Sequence, residues 1–276
     1  MKMKTIKLNI PYQKAGLKGE QYCAELTAVT LKVSPETGLR RRPAVIICPG
    51  GGYEMLSDRE AEPVAMRFAS FGINAFILKY SLKAQFPVNA LELAASIAHV
   101  RSNAKEYDID PNKIIVCGFS AGGHLAASIA VHWNNSLIKE PFGYAEEHKP
   151  NGIILCYPVI TSGKFRHEGS ITNITRENSN AETLDMLSLE KHVSKDTPKT
   201  FIWHCADDKN VPVQNSLDYM RALSCNNITY EGHVYPNGGH GLSLADEATA
   251  GRDSHINKVC DKWFGLCIDW IRREFN

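Results

Sequence analysis

Apolar positions in this chain gather into short, nearly unbroken runs separated by longer stretches in which they recur at helical spacing. Residues 43–48, 73–80, 113–117, 152–157 and 199–204 are such runs, rich in β-branched and aromatic side chains. Continuous runs of this length suit strands covered on both faces, as in a parallel sheet. A further strand is expected at 228–235. Residues 5–10 and 23–33 alternate in part, which suits an antiparallel strand pair at a sheet edge, and Pro35-Glu36-Thr37-Gly38 reads as the turn after it. Helices are expected at 58–71, with Pro63 in the first turns and Gly72 closing it, and at 89–106, 214–224 and 255–273. Ile109-Asp110-Pro111-Asn112 reads as a turn into the 113–117 strand. Strands alternating with helices predict an α/β fold, a mostly parallel twisted central sheet with helices on both faces. Residues 134–150 look polar and irregular. Residues 161–197 lack a strand pattern and form a candidate insertion or cap above the sheet. No repeat, low-complexity tract or linker divides the chain, so residues 1–276 are expected to form a single domain.

The most informative segment is Gly118-Phe119-Ser120-Ala121-Gly122. It follows the apolar run ending at Cys117 and precedes the alanine-rich, helix-forming stretch from Gly123 to Val131. Gly-x-Ser-x-Gly at a strand-to-helix junction is the nucleophile-elbow pattern, in which a strained turn exposes a serine hydroxyl. Glycine is needed at both flanks because a side chain there would strike the neighbouring strand or helix. The helix start also aims free amides at any negative charge forming beside the serine.

A serine hydroxyl needs a base to act as a nucleophile, and the base needs an orienting carboxylate. In elbow-bearing folds these follow in the order serine, acid, histidine. The 199–204 strand runs into Cys205-Ala206-Asp207-Asp208-Lys209-Asn210-Val211-Pro212, where Asp208 fits an Asp-x-x-Val-Pro pattern and Asp207 is the neighbouring alternative. Either aspartate also suits a turn or a helix cap. His240 follows the 228–235 strand within Asn237-Gly238-Gly239-His240-Gly241, and is the candidate base among ten histidines. His124 and His132 read as packed or capping residues, and His204 lies near enough to the acid loop to touch the site. Pro49-Gly50-Gly51-Gly52-Tyr53 follows the 43–48 strand. A triple glycine is costly unless a backbone must approach something closely, so this loop is the candidate oxyanion hole. Ala121 and Gly51 are its expected amide donors, with Gly50 or Gly52 as near alternatives.

Composition narrows the class. A formal net charge of +1 over 276 residues leaves no cationic excess for nucleic acid or an acidic membrane surface. No stretch approaches the ~18 apolar residues of a membrane span, and no apolar segment follows the basic start, so a cytoplasmic location is expected. The eight cysteines include no Cys-x-x-Cys pair. Cys48, Cys117, Cys156 and Cys205 lie in or beside strand runs as small core residues. No metal or organic cofactor is called for.

These segments resemble the α/β-hydrolase superfamily. More narrowly, they resemble the acetyl esterases grouped with acetylxylan esterases and bifunctional carbohydrate acetyl/feruloyl esterases. The likeness covers roughly residues 20–270. It is carried by residues 48–53, by 118–126, by Leu155-Cys156-Tyr157-Pro158-Val159-Ile160-Thr161, by 207–217 and by 235–244. One departure is Pro49, where many lipase-like relatives carry histidine; this alters how the loop is anchored but leaves its amides. The resemblance implies a triad of Ser120, Asp208 and His240. It also implies a serine carboxylesterase that removes short acyl groups, acetyl foremost, from a hydroxylated or carbohydrate substrate. A formamidase or small peptidase would use the same triad, and a non-catalytic binding module would be expected to lack one member. The expected partner is a small-molecule or oligosaccharide ester, with homo-oligomerisation left open. Tyr53 is the candidate substrate contact, and Phe165, Arg166 and His167 are candidate pocket walls.

Overall fold

A computed structural model describes residues 2–18, 22, 24–31, 36, 41–143 and 145–275. The expected turn at 35–38, and the residues of the 23–33 segment other than 24–31, lie outside the described residues.

Eight strands form one sheet in the order β1-β2-β4-β3-β5-β6-β7-β8. In chain order they are β1 (Lys2–Lys7), β2 (Glu25–Thr30), β3 (Arg42–Cys48), β4 (Asn74–Lys79), β5 (Ile109–Phe119), β6 (Gly152–Cys156), β7 (Lys199–Cys205) and β8 (Tyr230–Tyr235). β1 pairs antiparallel with β2, and β2 with β4. Every pairing from β4 to β8 is parallel. The helices are α1 (Glu62–Ser70), α2 (Val88–Ser102), α3 (Ala121–His132), α4 (Ser136–Lys139), α5 (Glu168–Thr175), α6 (Ala181–Met186), α7 (Gln214–Cys225) and α8 (Trp263–Glu274).

The unbroken apolar runs have a direct cause. Along β3, Ala44, Ile46 and Cys48 pack on one face with α2 and α3, while Val45 and Ile47 pack on the other with α1 and α8. β5 divides in the same way. Each strand therefore buries both sets of side chains, and alternation disappears from the sequence.

Several boundaries differ from the expectations: β1, expected at 5–10, is Lys2–Lys7, the 89–106 helix ends at Ser102, and residues 134–150, expected to be irregular, carry α4. Residues 109–112 are part of β5 rather than a turn before it: Ile109 pairs with Arg42, and the register then shifts so that Ile114 pairs with Ala44. Pro111 has no N–H for the ladder, and Asp110 Oδ1 accepts the Asn112 amide at 2.9 Å, so the extra residues bulge out. The 58–71 helix is split into a 3-10 turn, Asp58–Glu60, and α1, with Ala61 at φ −110°, ψ −106° between them and Pro63 in the first turn of α1. The last helix starts at Trp263, not at 255, because Asn257 Oδ1 takes the amides of Val259 and Cys260 and so competes with helix formation. Residues 161–197 contain no strand. They carry α5, α6 and a 3-10 turn at Leu189–Lys191.

At the C-terminal end of β5 the chain is sterically saturated. A Cβ on Gly118 would lie 2.2 Å from the Gly122 carbonyl oxygen, and one on Gly122 would lie 2.1 Å from that of Cys48. Backbone atoms on both sides leave no flexible group to yield. Gly122→Ala should therefore lower stability by about 3 kcal/mol. Gly265 in α8 is exposed, with nothing within 4 Å of an added Cβ, so Gly265→Ala should raise stability by about 0.5–1 kcal/mol. Denaturant titration of the two variants measures both, and equal effects would contradict the steric account.

Candidate active site

Ser120 is the hinge between β5 and α3, at φ 52° and ψ −116°. A non-glycine residue in this conformation costs on the order of 1–3 kcal/mol and needs support. Its N–H donates to the Cys156 carbonyl at 3.0 Å, and its carbonyl accepts the amides of His124 and Val159, both at 3.1 Å. The backbone is thereby fixed, and the hydroxyl projects toward the loop after β8. There His240 Nε2 lies 2.8 Å from Ser120 Oγ, and His240 Nδ1 lies 2.6 Å from Asp208 Oδ2. An ionised carboxylate can only accept, so Nδ1 carries the proton and the Nε2 lone pair faces the serine hydroxyl.

Asp208 follows β7 and is buried. Four donors converge on it. The amides of Asn210 and Val211 reach Oδ1, both at 2.9 Å, while His240 Nδ1 and His204 Nε2 (3.1 Å) reach Oδ2. Burial by itself would raise the pKa of this carboxyl. The hydrogen bonds from His204, His240 and Val211 outweigh burial and hold it well below the usual carboxylate range. Asp207 does other work: its Oδ1 accepts the amides of Gly238 and Gly239, both at 2.9 Å, and so fastens the loop that carries His240. His204 touches the acid, as its position suggested. Its Nε2 meets two acceptors, Asp208 Oδ2 and the Val211 carbonyl, so that nitrogen is protonated, and Nδ1 accepts from the Ser216 hydroxyl at 2.7 Å.

Of the candidate amide donors, the near alternative Gly50 is already engaged. Gly50 lies against the elbow, but its amide donates to Glu60 Oε2 at 2.8 Å, which removes it as a free donor. The Gly51 and Ala121 amides have no hydrogen-bond partner among the described residues. Gly51 has φ 125°, and a Cβ there would lie 2.2 Å from the Met55 carbonyl oxygen, so only glycine fits.

Tyr53 does not offer its side chain to a substrate. It is 1% exposed, and its hydroxyl donates to His124 Nδ1 at 2.9 Å. His124 is fully buried, with Nε2 donating to the Leu187 carbonyl at 3.2 Å. This places it among the packed histidines, as expected. Burial lowers its pKa to about 4, against a small opposing effect of the Leu187 carbonyl, and His132 is likewise lowered by burial to about 4.

Of the candidate pocket walls, His167 comes closest to the loop. A Cβ on Gly52 would lie 4.0 Å from its Cε1. Its Nδ1 caps α5 by accepting the Ser170 amide and hydroxyl, at 3.2 and 2.8 Å, which leaves Nε2–H without a partner among the described residues. Arg166 is paired with Glu168 at 2.7 Å. The Phe165 carbonyl accepts from Asn215 Nδ2 at 2.9 Å. Two residues at the site carry no sequence signal. Glu60 stands in a charged segment that reads as an ordinary helix start, and Tyr157 reads as a strand residue. Yet the Tyr157 ring stacks edge-on against His240, with centroids 5.1 Å apart, and its hydroxyl donates to Glu60 Oε1 at 2.7 Å.

A serine on a strained strand-to-helix turn, in the middle of this sheet order, defines the class: the protein is an α/β-hydrolase. The chain belongs to the BD-FAE family, which matches residues 33–223. It is 38% identical to endo-1,4-beta-xylanase B of Butyrivibrio fibrisolvens over 75% of this chain and 33% of that protein. It is 32% identical to the acetylxylan esterase of Xylanibacter ruminicola over 73% of this chain and 41% of that protein. The chain thus spans only a third to two-fifths of the length of these two curated relatives. Among solved structures, the acetyl ester-xyloside bifunctional hydrolase from Caldicellulosiruptor lactoaceticus aligns with a TM-score of 0.83 and 34% identity over 98% of this chain and 96% of that one. The carboxylesterase Cest-2923 from Lactobacillus plantarum aligns with a TM-score of 0.85 and 27% identity over 99% and 98%. The acetylxylan esterase and the carboxylesterase among these carry the names of ester-bond hydrolases.

The buried neutral histidines make stability pH-dependent. The folded pKa of His124, about 4, lies below its unfolded value near ~6.5. The stability it contributes is therefore full above pH ~6.5 and lost as pH falls toward 4, by about 3 kcal/mol across that window. Denaturant midpoints should fall between pH 6.5 and 4.5, and His124→Gln, though less stable at pH 7, should show a shallower fall. A midpoint independent of pH over that range would refute this.

Proposed function

We propose that this protein is a serine esterase that removes short acyl groups, acetyl foremost, from hydroxylated carbohydrate substrates through an acyl-enzyme formed on Ser120. The observation that carries the reading is the 2.8 Å approach of His240 Nε2 to Ser120 Oγ, with the other imidazole nitrogen bound to a buried carboxylate. On attack at the ester carbonyl, His240 takes the Ser120 proton and returns it to the leaving alcohol. Asp208 keeps the imidazole in the tautomer that makes this transfer and stabilises the imidazolium that forms. The unpartnered amides of Ala121 and Gly51 suit the oxyanion of the tetrahedral intermediate. Water, activated by the same His240, then releases the acid from Ser120. The carbohydrate part of the reading is supported by relatives named for xylan and xyloside chemistry. The unpartnered His167 Nε2–H beside Gly52 is a donor suited to a sugar hydroxyl.

Ser120→Ala should abolish hydrolysis of p-nitrophenyl acetate and labelling by a fluorophosphonate probe. Asp208→Asn should lower kcat by about 10⁴-fold, because Nδ1 loses the acceptor that sets its tautomer. Asp207→Asn, which loosens only the loop, should lower it by less than about tenfold. Unchanged turnover in Ser120→Ala would overturn the proposal, and a reversed order of the two aspartates would reassign the acid. Acetate release from acetylated xylo-oligosaccharides, set against acyl-length and amide series, tests the substrate; faster cleavage of amides would favour a formamidase or peptidase.

A further inference from the structure

Glu60 closes the 3-10 turn Asp58–Glu60 and is 3% exposed. Neither of its oxygens is spent on a lysine or arginine. Oε2 accepts the Gly50 amide at 2.8 Å and Oε1 accepts the Tyr157 hydroxyl at 2.7 Å. The Tyr157 hydroxyl in turn accepts the Ser243 amide at 2.7 Å, three residues beyond His240. The residue before Glu60 completes the connection. The Arg59 carbonyl accepts from the Ser243 hydroxyl at 2.6 Å, and Arg59 Nη1 donates to the Gly241 carbonyl at 3.0 Å. One short turn thus holds the glycine loop after β3, the residue after β6 and the loop that bears His240.

We propose that Glu60 is a positioning residue for acyl transfer. Its Oε2 fixes the Gly50 amide, so that the next amide, Gly51, stays turned toward the oxyanion, and its Oε1, through Tyr157, holds the His240 loop in register with it. The inference rests on the role assigned above to Ser120, His240 and Gly51. Its physical basis is the looseness of the loop itself. Gly51 and Gly52, at φ 125° and 66°, carry no side chains to pack, and an amide free to rotate cannot be preorganised for a developing charge. A carboxylate offers an acceptor to each partner, whereas glutamine offers one acceptor and turns the other bond round, its N–H₂ donating to a Tyr157 oxygen that already accepts the Ser243 amide. That requirement accounts for an acidic group in a site where burial raises its pKa, against the hydrogen bonds of Tyr157 and Gly50.

The test uses the whole chain and p-nitrophenyl acetate, with melting curves to show that each variant is folded at the assay temperature. Glu60→Gln should lower kcat roughly 10- to 100-fold and leave KM within about twofold, since an oxyanion contact acts in the transition state and not on bound substrate. Glu60→Asp, which keeps both acceptors, should recover part of the loss. Tyr157→Phe breaks only the arm to the histidine loop and should cost roughly 3- to 10-fold in kcat. The double variant Glu60→Gln/Tyr157→Phe should be no slower than Glu60→Gln, because both act through one network. A folded Glu60→Gln with wild-type kcat overturns the inference. So does a loss confined to KM. If Glu60→Gln does not fold, Tyr157→Phe decides, and wild-type kcat there overturns the inference equally. Turnover surviving in Ser120→Ala would instead overturn the reading of the site on which the inference rests.

Discussion

The contact on which the site depends is one between backbones. α3 begins so close to the end of β3 that no Cβ fits at Gly122, and the elbow folds so tightly that none fits at Gly118. Two consequences follow from this single approach. The loop leaving β3, which starts at Pro49, must pass beside the first turn of α3, so glycine-loop amides and the Ala121 amide lie next to each other. Ser120 is also pushed into an unfavourable conformation that only its neighbours can sustain. Those neighbours are the strands flanking β5 and their extensions. Cys156 at the end of β6 takes the Ser120 amide, and Val159 just beyond it donates to the Ser120 carbonyl. The parallel order β3-β5-β6 is what brings these strand ends together.

Around that turn, the structure buries ionisable groups and pairs each with donors or acceptors. Asp208 receives four donors and stays anionic. Glu60 receives two and is pushed the other way by burial, so the same side-chain chemistry ends in opposite directions according to how many donors each carboxylate collects. His124 and His132 receive none that favour charge over burial and stay neutral. A polar network of this kind adds to stability only if every member is satisfied. That condition explains why the loops after β3, β6, β7 and β8 are tied to one another by side-chain hydrogen bonds and not by apolar packing alone.

What the sequence reveals follows the same division. Strands buried on both faces leave continuous apolar runs, so the sheet and its helices are readable, while the edge strand β1, expected at 5–10, lies three residues earlier at Lys2–Lys7. The geometry of Ser120, Asp208 and His240 is readable because each sits in a local motif: an elbow, an Asp-x-x-Val-Pro turn and a glycine-flanked histidine. Glu60 and Tyr157 are not readable, since their partners lie far away in sequence and a buried glutamate leaves no periodic trace. The surroundings of Gly50 and Tyr53 are unreadable for the same reason. Which amide of a glycine run is free, and which neighbouring ring is buried, depends on Glu60 and His124, side chains whose positions only the folded chain sets. The helix ends at 58–61 and 255–262 depend on Ala61 and Asn257, local choices that override a broad amphipathic pattern.

The division also bears on how one scaffold comes to act on different esters. The reacting groups belong to strand ends, where the sheet fixes them to within hydrogen-bond tolerance. Residues 161–197, whose sequence pattern predicts least, carry α5 and α6. That segment is not independent of the chemistry, however. Asn173 Nδ2, on α5, donates to the Gly52 carbonyl at 2.9 Å, and Phe86 donates its amide to the Ile174 carbonyl at 2.9 Å. α5 therefore holds the outer side of the glycine loop whose inner side is held by Glu60. A change in α5 thus bears on the backbone at Gly52, next to the Gly51 amide. With α5 on the Gly52 carbonyl and Glu60 on the Gly50 amide, the backbone is held on both sides of Gly51.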